Sequence, residues 1–285
     1  MHGPVEWGWM VAKLSTDQVS RYQRDGVVAP VTVMRPAAAQ EYRRRLESVE
    51  KLFPQHIGPE KRNNAHYVLA CLDEIVHHEE VLDAVECLIG PDIILTTTVL
   101  FIKEANTAHH VTYHQDATYM GLEPQDGVTA WIALTESTRE NGCVRMIPAS
   151  HQGGIQPHID TFGEDNILTR GQQIDDIDDE RALDIELEPG QMSLHHCRTV
   201  HGSRPNKTSN RRIGIALQAF VHPSTHQVYG EDYALLVRGR DDYGNFSKGP
   251  RPKTEMDLGN VRFRDNANAR LSQILYAGAE KPRRY

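Results

Sequence analysis

Residues 93–103 have the sequence IILTTTVLFIK, and this stretch decides the fold class. β-Branched and apolar side chains dominate it, which is the composition of a strand within a sheet. Turn signals at Asp126-Gly127, Asn141-Gly142 and Pro189-Gly190 bound further strand-like runs. Because no helical pattern lies between these runs, the sequence predicts a jelly roll or a β-sandwich. The runs are VTYHQDA, GVTAWIALT, CVRMIPAS, ALDIELE, QMSLHHC and RRIGIALQAFV.

Helical patterns flank this predicted sheet on both sides. Ser15 or Thr16 caps a first short helix that stops at Asp25-Gly26, and Pro36 opens a second with an apolar face. A third segment, HHEEVLDAVECLIG, ends at Gly90, and DNANARLSQILYAGA predicts a C-terminal helix. The polar residues 153–181 predict an insertion over the mouth of the sheet.

These patterns predict a mainly β protein with flanking helices, a double-stranded β-helix of the jelly-roll, cupin-like type. We expect one domain over residues 1–285, since no linker or repeat divides the chain. The expected parts are a helical N-terminal part of about 1–90, a jelly-roll core of about 91–225, and a C-terminal extension and helix of about 226–285.

The composition excludes several classes of protein. The 285 residues carry 31 Lys and Arg against 39 Asp and Glu, a net charge of −8, so no basic field favours nucleic acid. Four scattered cysteines without CxxC spacing indicate a reducing compartment, and we expect a cytoplasmic protein. The first 18 residues show no signal-peptide pattern, and no apolar stretch is long enough to span a membrane. The oligomeric state stays open.

A candidate metal site lies in the segment TYHQDATY. His114 and Asp116 stand two residues apart on a predicted strand, so both side chains would share one face. His201, at the end of the run SLHHCRTVH, offers a third ligand. Two histidines and one carboxylate, with coordination positions left open, are typical of non-haem Fe(II) oxygenases. The alternative is a hydrogen-bonded strand histidine beside a carboxylate in a turn.

A candidate carboxylate-binding site follows the third possible ligand. Arg212 lies 11 residues after His201, across a Pro/Asn turn that should start a neighbouring antiparallel strand. A fixed guanidinium binds a carboxylate in bidentate fashion, as 2-oxoglutarate would require, and the Ser203 hydroxyl can reach the same group. Arg211 should point to the opposite face, so Arg212 is the favoured residue.

Three longer strings carry a resemblance to a known family: HQDATYMGLEPQDGVTAWIALTESTRENGCVRMIPASH, DNILTRGQQI and LHHCRTVHGSRPNKTSNRRIG. The upstream FIKEA and NAHYVL and the closing ILYAGA also fit. From about residue 15 to 278, the sequence resembles the bacterial branch of the phytanoyl-CoA dioxygenase family of Fe(II)/2-oxoglutarate-dependent oxygenases. It departs from the family pattern at Ala149, Gln191 and Tyr113, and none of these is a ligand position.

The resemblance implies Fe(II), with 2-oxoglutarate and O2 as co-substrates, and assigns roles to individual residues. The implied iron ligands are His114, Asp116 and His201. The implied co-substrate contacts are Arg212, Ser203 and Trp131, with Gln115 and the strand around Val99 lining the pocket and Asn64 and His66 approaching it.

The implied activity is oxidation of an unactivated C–H bond in a small-molecule metabolite of secondary metabolism, with release of succinate and CO2. Hydroxylation is the expected outcome, and desaturation, cyclisation or epoxidation are alternatives. Because halogenating relatives lack the carboxylate, Asp116 favours oxygenation. Two other classes stay open: a non-catalytic jelly-roll protein that binds a metal or ligand, and a hydrolase or isomerase that uses another divalent ion.

Overall fold

Two β-sheets form the centre of the molecule in the computed structural model, which describes residues 13–279. The larger sheet has seven strands in the order β1-β10-β5-β12-β2-β14-β15, and the smaller has four in the order β3-β11-β6-β9. The strands are β1 Val27–Thr32, β2 Ile93–Lys103, β3 Val111–His114, β4 Leu122–Glu123, β5 Val128–Ala133, β6 Val144–Met146, β7 Ile159–Asp160, β8 Gln172–Gln173, β9 Leu183–Ile185, β10 Gln191–His196, β11 His201–Ser203, β12 Arg212–Val221, β13 His226–Gln227, β14 Tyr233–Arg238 and β15 Ser247–Lys248.

The two sheets face each other across an apolar layer. Trp131 and Ala216 of the larger sheet share one buried cluster with Val144, Met146 and Ile185 of the smaller sheet. The central pairings β10–β5, β5–β12 and β12–β2 are all antiparallel. This arrangement is the predicted double-stranded β-helix, a closed two-sheet architecture whose interior can hold a small ligand.

Seven α-helices accompany the sheets within the described residues. They are α1 Thr16–Asp25, α2 Pro36–Leu52, α3 Pro54–Ile57, α4 Ala70–Val76, α5 Glu79–Ile89, α6 Ala117–Met120 and α7 Leu258–Leu275. The helix starts and stops predicted from the sequence are present in the structure. Ser15 caps α1 through a capping box, Gly26 ends α1 in the left-handed region at φ 72°, and Pro36 occupies the first turn of α2.

The main core lies between the helices and the outer face of the larger sheet. Leu100 and Leu217 point from β2 and β12 into this core, where Leu46, Ile75 and Val85 meet them from three helices. Because side chains alternate along a strand, the intervening residues point the other way, into the space between the sheets. The inner face of the larger sheet is therefore free to carry a functional site.

Three features differ from the sequence expectation. The N-terminal part contributes β1 as well as helices, and β1 pairs with β10 at one side of the larger sheet. The C-terminal extension contributes β14, which pairs with β2 at the other side. The C-terminal helix begins earlier than expected, at Leu258, because Asp257 caps it by accepting from two backbone N–H groups.

Residues 153–181, the predicted insertion, include β7 and β8 and are held against β3 and the residue before it, where His110 bridges to Asn166 and Thr112 donates to the carbonyl oxygen of Gln172. Within residues 13–279 no helix combines the length and the apolar character needed to cross a membrane. Most of the segment in which we looked for a signal peptide, and the last six residues of the C-terminal extension, lie outside the described residues.

Candidate metal centre and anion pocket

The three predicted metal-ligating side chains come together between the sheets. β11 pairs with β3 so that His201 lies directly opposite His114. One potential ligand atom from each of His114, Asp116 and His201 lies within 4.8 Å of the others, and all three residues are buried. The geometry differs in one respect from the expected one, because β3 ends at His114 and Asp116 stands at the start of α6. The carboxylate therefore reaches the histidines from a helix start and not from a strand.

Both imidazole rings are oriented by the backbone. Nδ1 of His114 donates to the carbonyl oxygen of Thr112 at 2.9 Å, and Nδ1 of His201 donates to that of Thr199 at the same distance. Each Nε2 is then the unprotonated nitrogen, and the two lie 3.5 and 3.8 Å from Oδ1 of Asp116. A backbone carbonyl on one nitrogen is the usual arrangement that fixes a metal-binding histidine.

The charge states of this cluster suit a divalent cation. Burial lowers the pKa of His201 to about 3, so its ring is neutral at physiological pH. Burial alone would raise the pKa of the Asp116 carboxyl. The surrounding imidazoles, led by His201, outweigh this effect and hold the pKa well below its usual value. Two imidazoles and one carboxylate are a donor set that fits Fe(II).

Four further side chains surround the Asp116 carboxylate. Its Oδ2 accepts from Oγ1 of Thr129 at 3.1 Å and faces Nε2 of His195 at 3.7 Å. Its Oδ1 lies 3.4 Å from both the Tyr119 hydroxyl and Nε2 of Gln218. The two carboxylate oxygens thus have different surroundings, and Oδ1 is the oxygen that lies 3.5 and 3.8 Å from the two candidate histidine ligands.

Two buried cations occupy the other end of the same space. Lys103 is 0% exposed and Arg212 is 1% exposed. Nζ of Lys103 donates to Oγ of Ser203 at 2.7 Å and to the carbonyl oxygen of Arg204, and Nη1 of Arg212 donates to the carbonyl oxygen of Gly142 at 2.7 Å. Among the described residues, no carboxylate pairs with either cation, and Nε of Arg212 has no partner at all.

Burial lowers the pKa of both side chains. Burial, followed by the charge of Arg212, lowers the pKa of Lys103 to about 6. Burial lowers the pKa of Arg212 to about 10. Buried charges normally occur with a counter-ion, because taking an ion out of water costs several kcal/mol. The pocket therefore has the electrostatic character of a site for an anionic ligand.

Trp131 forms a wall of this pocket. The Arg212 guanidinium lies over its indole ring at 5.0 Å from the centroid, a cation–π contact that fixes the direction of the guanidinium. Gly214 is the residue that permits this arrangement, since any Cβ there would overlap the indole. The absence of a side chain at residue 214 lets the aromatic ring lie flat against β12.

A single pocket joins the metal end to the cationic end. Its lining includes all three candidate ligands together with Arg212, Ser203 and Trp131, as the sequence predicts. The other lining residues are Phe101, Val111, Thr129, Val144, His195, Gly202, Ala216 and Gln218. An anion held by Lys103 and Arg212 would thus extend towards His114, Asp116 and His201 along a mostly apolar passage.

Gln115 does not contact this pocket, contrary to expectation. Its side-chain amide donates to the carbonyl oxygens of Gly154 and Arg198 at 2.9 and 2.6 Å, and its carbonyl oxygen accepts from the backbone of Gln156 at 2.8 Å. The side chain points away from the ligands on either side of it in sequence. Its contacts with Gly154 and Gln156 instead hold the start of the insertion, residues 153–181, next to the metal end.

His66 is also placed elsewhere than expected. Its Nδ1 lies 2.8 Å from Oγ1 of Thr98, which belongs to the helix-covered outer face of the larger sheet. Val99, the next residue, has its side chain on the inner face, but Phe101 is the residue of this strand that lines the pocket. Asn64 accepts a hydrogen bond from Thr97 at 2.9 Å and therefore does approach the inner face.

Three polar residues at the pocket were not predicted: Thr129 and Gln218, which line it, and Lys103, which reaches it through its hydrogen bond to Ser203. Two of them carried a recognisable signal, because each is a polar residue in an otherwise apolar strand. Lys103 ends IILTTTVLFIK, and Gln218 interrupts RIGIALQAFV. A charged or amide side chain within a buried strand is rare unless it has a partner or a ligand. Thr129 carried no such signal, since threonine is common in strands.

Comparison with known proteins gives a family. Residues 22–214 match the family model described as phytanoyl-CoA dioxygenase (PhyH). The human peroxisomal phytanoyl-CoA dioxygenase is 31% identical over 154 residues, which are 52% of this chain and 45% of that protein. The probable alpha-ketoglutarate-dependent hypophosphite dioxygenase of Stutzerimonas stutzeri is 28% identical over 62% of this chain and 64% of that protein. The chain thus matches about half to two thirds of the length of these curated relatives.

A solved structure is similar over nearly the full length. The non-heme monooxygenase ThoJ in its apo form is 34% identical, with a TM-score of 0.81 over 92% of this chain and 98% of that one. Its nickel complex has a TM-score of 0.75 over 90% and 98%. The architecture described above is therefore that of known non-haem oxygenases.

Proposed function

Because this chain belongs to the phytanoyl-CoA dioxygenase family, we propose that it is an Fe(II)- and 2-oxoglutarate-dependent oxygenase of a small-molecule metabolite. The proposed reaction converts a substrate C–H, 2-oxoglutarate and O2 into the C–OH product, succinate and CO2. One observation carries the proposal: the buried Arg212, without a carboxylate partner among the described residues, lines one end of a pocket whose other end holds His114, Asp116 and His201, and the buried Lys103 hydrogen-bonds to Ser203 at the same end.

Each end of the pocket has a proposed task. Bound iron would supply a centre at which O2 and the keto acid react, and His114, Asp116 and His201 would hold it through two imidazoles and one carboxylate. Arg212 and Lys103 would bind the distal carboxylate of 2-oxoglutarate, with Ser203 donating or accepting a further hydrogen bond. Trp131 fixes the guanidinium and keeps water away from it.

The presence of Asp116 supports oxygenation over halogenation, because its carboxylate occupies the position that chloride would need. Hydroxylation is the simplest outcome for this residue set. Desaturation, cyclisation or epoxidation would require a different substrate pose with the same pocket residues. We further propose a free metabolite of secondary metabolism as the substrate class.

We also propose that residues 1–285 form one domain and that the protein is cytoplasmic. The first proposal is supported by the sheet itself, since β1 from the N-terminal part and β14 from the C-terminal extension belong to the same seven strands. A single cooperative thermal transition would agree with one domain. The second proposal rests on the four cysteines, all of which are free, and its test is the location of a tagged chain in the source cell.

The test of the function is spectroscopic and then chemical. Fe(II) and 2-oxoglutarate, added without oxygen, should produce a visible charge-transfer band that His114→Ala abolishes. The matched control is Arg211→Gln, which removes a cation next to the pocket but outside it and should leave the band intact. Exposure to O2 should then release succinate, at a rate that the true substrate increases.

The outcomes separate the alternatives. A band without succinate under any condition would identify a non-catalytic binding protein. Substrate turnover that is independent of O2 would favour a hydrolase or isomerase with another metal ion. Failure to form the band in the wild-type protein would contradict the proposed function itself.

A further inference from the structure

His195 is a buried histidine with no hydrogen-bond partner. It is 2% exposed, and neither Nδ1 nor Nε2 makes a hydrogen bond within the described part of the chain. Leaving a buried polar group unpaired is unfavourable, so such groups call for an explanation. The ring lines the pocket, and its centroid lies 4.6 Å from that of His201. The group is therefore directed towards the candidate metal centre.

The position of His195 in the sheet aims it at one carboxylate oxygen. It lies on β10 directly opposite Thr129 on β5, so the two side chains share the inner face. Both point at Oδ2 of Asp116, Thr129 from 3.1 Å and His195 from 3.7 Å. The second distance exceeds hydrogen-bonding range by about 0.5 Å, which a small rotation of either side chain removes. Oδ1, by contrast, faces His114 and His201.

We propose that His195 is a positioning residue that holds Oδ2 of Asp116, so that only Oδ1 is offered to the metal ion. Nε2–H of His195 donates to Oδ2 alongside the Thr129 hydroxyl, and the carboxylate then binds through one oxygen. The inference rests on the metal site of the proposed function. It assigns His195 no bond to the metal, because the potential ligand atoms that cluster within 4.8 Å come from His114, Asp116 and His201.

The test measures binding of Co(II) alone, without co-substrate or turnover. His195→Phe keeps a buried ring but removes both nitrogens, and we expect Co(II) affinity to fall about 10- to 100-fold, as for other groups that orient a metal ligand. His195→Gln places an amide N–H near the position of Nε2 and should restore most of the affinity. His195→Asn places its amide near Nδ1 and should not.

His66→Phe is the matched control. His66 is equally buried and its Nε2 also lacks a partner, but it lies on the outer face of the larger sheet. This variant should bind Co(II) as the wild type does. Thermal unfolding of each metal-free variant shows whether it folds, so that a loss of Co(II) affinity can be told apart from a loss of folding.

A count of coordinated nitrogens completes the test. Electron paramagnetic resonance of the Cu(II)-loaded protein should show two imidazoles in both the wild type and His195→Phe. Three imidazoles in the wild type and two in the variant would make His195 a ligand and overturn the proposal. Unchanged Co(II) affinity in His195→Phe, or equal behaviour of the Gln and Asn variants, would also overturn it. If the wild type does not bind Co(II), the proposed function fails instead.

Discussion

Two adjacent arginines stand at the start of β12: Arg211 immediately precedes the strand and Arg212 is its first residue. Their side chains lie in opposite electrostatic environments. Arg211 is directed outwards and pairs with Glu50 at 2.8 Å and Glu104 at 2.7 Å. Arg212 is directed inwards, is almost completely buried, donates to backbone carbonyls and lies over the Trp131 ring, with no carboxylate partner among the described residues. The same side chain is thus neutralised on one face and left uncompensated on the other.

The difference between the two arginines separates a structural role from a functional one. A surface arginine with two carboxylates contributes modestly to stability and needs no ligand to account for it. A buried arginine beside a buried lysine opposes folding, because desolvation and mutual repulsion both act against the charged forms. Natural sequences tolerate such a local cost at sites that bind an oppositely charged ligand. The comparison can be tested by the same substitution at each position.

The largest effect is expected for Arg212→Gln. Loss of the guanidinium leaves the distal carboxylate of 2-oxoglutarate without its fork of donors, and truncating one member of a buried charge pair costs about 2–5 kcal/mol. We therefore expect 2-oxoglutarate affinity to fall about 30-fold or more. Anaerobic isothermal titration calorimetry with Mn(II) in place of Fe(II) measures this directly.

Two further measurements on Arg212→Gln show whether the loss is specific to 2-oxoglutarate binding. Mn(II) affinity should stay unchanged, because Arg212 does not contact the three candidate ligands. The free energy of unfolding without co-substrate should not decrease, since an uncompensated buried charge has been removed. Unaltered 2-oxoglutarate affinity would show that the inner arginine is structural, and the contrast between the two faces would then carry no functional meaning.

The neighbouring arginines also show what the sequence could predict. Strand alternation alone assigned Arg212 to the inner face and Arg211 to the outer one, because the period of a strand is fixed by its backbone. The spacing of two residues from His201 pointed to Ser203, whereas Trp131 was implied by the family resemblance, and both residues line the pocket. Strand alternation also placed Asp116 beside His114, but the reason was incomplete. β3 ends at His114, and a helix start brings the carboxylate to the site.

The errors have one physical source. Gln115 and His66 were assigned to the pocket from the family resemblance, but their side chains make other contacts in the folded chain. Gln115 binds the insertion backbone around Gly154, and His66 meets Thr98 on the far side of the sheet. Such contacts depend on segments distant in sequence, and no local period encodes them. Lys103 was not predicted, because its position at the end of an apolar strand does not show that Arg212 lies beside it in the folded chain.

The second prediction concerns Lys103 and the pH. Burial and the charge of Arg212 lower its pKa to about 6, so the free protein holds it largely neutral at pH 7.5. A dianionic co-substrate favours the protonated form, and binding should therefore take up close to one proton. As the pH rises above 6, 2-oxoglutarate affinity should fall by up to about tenfold per pH unit until the pKa of the bound state is reached.

Calorimetry in two buffers of different ionisation enthalpy counts this proton, and Lys103→Met should abolish the uptake. The pH dependence of folding stability has the opposite sign to that of 2-oxoglutarate affinity. Between pH 6 and the usual lysine pKa of about 10.4, the unfolded chain binds more protons at this residue than the folded one. The contribution of Lys103 to stability therefore increases with pH across that window and is lost as the pH falls through 6. Saturating 2-oxoglutarate should flatten the dependence, and an affinity independent of pH would refute a titrating Lys103.

The smallest effect is expected for Arg211→Gln, the same substitution one residue away. Arg211 joins β12 to α2 through Glu50 and to the end of β2 through Glu104, and its side chain is 23% exposed. Partly solvated pairs of this kind contribute less than about 1 kcal/mol each, and salt screens them. We expect a slight fall in the free energy of unfolding that shrinks at high ionic strength, with 2-oxoglutarate affinity unchanged. A clear loss of affinity would mean that the pocket depends on how firmly α2 anchors β12, and function would then extend to both faces of the strand.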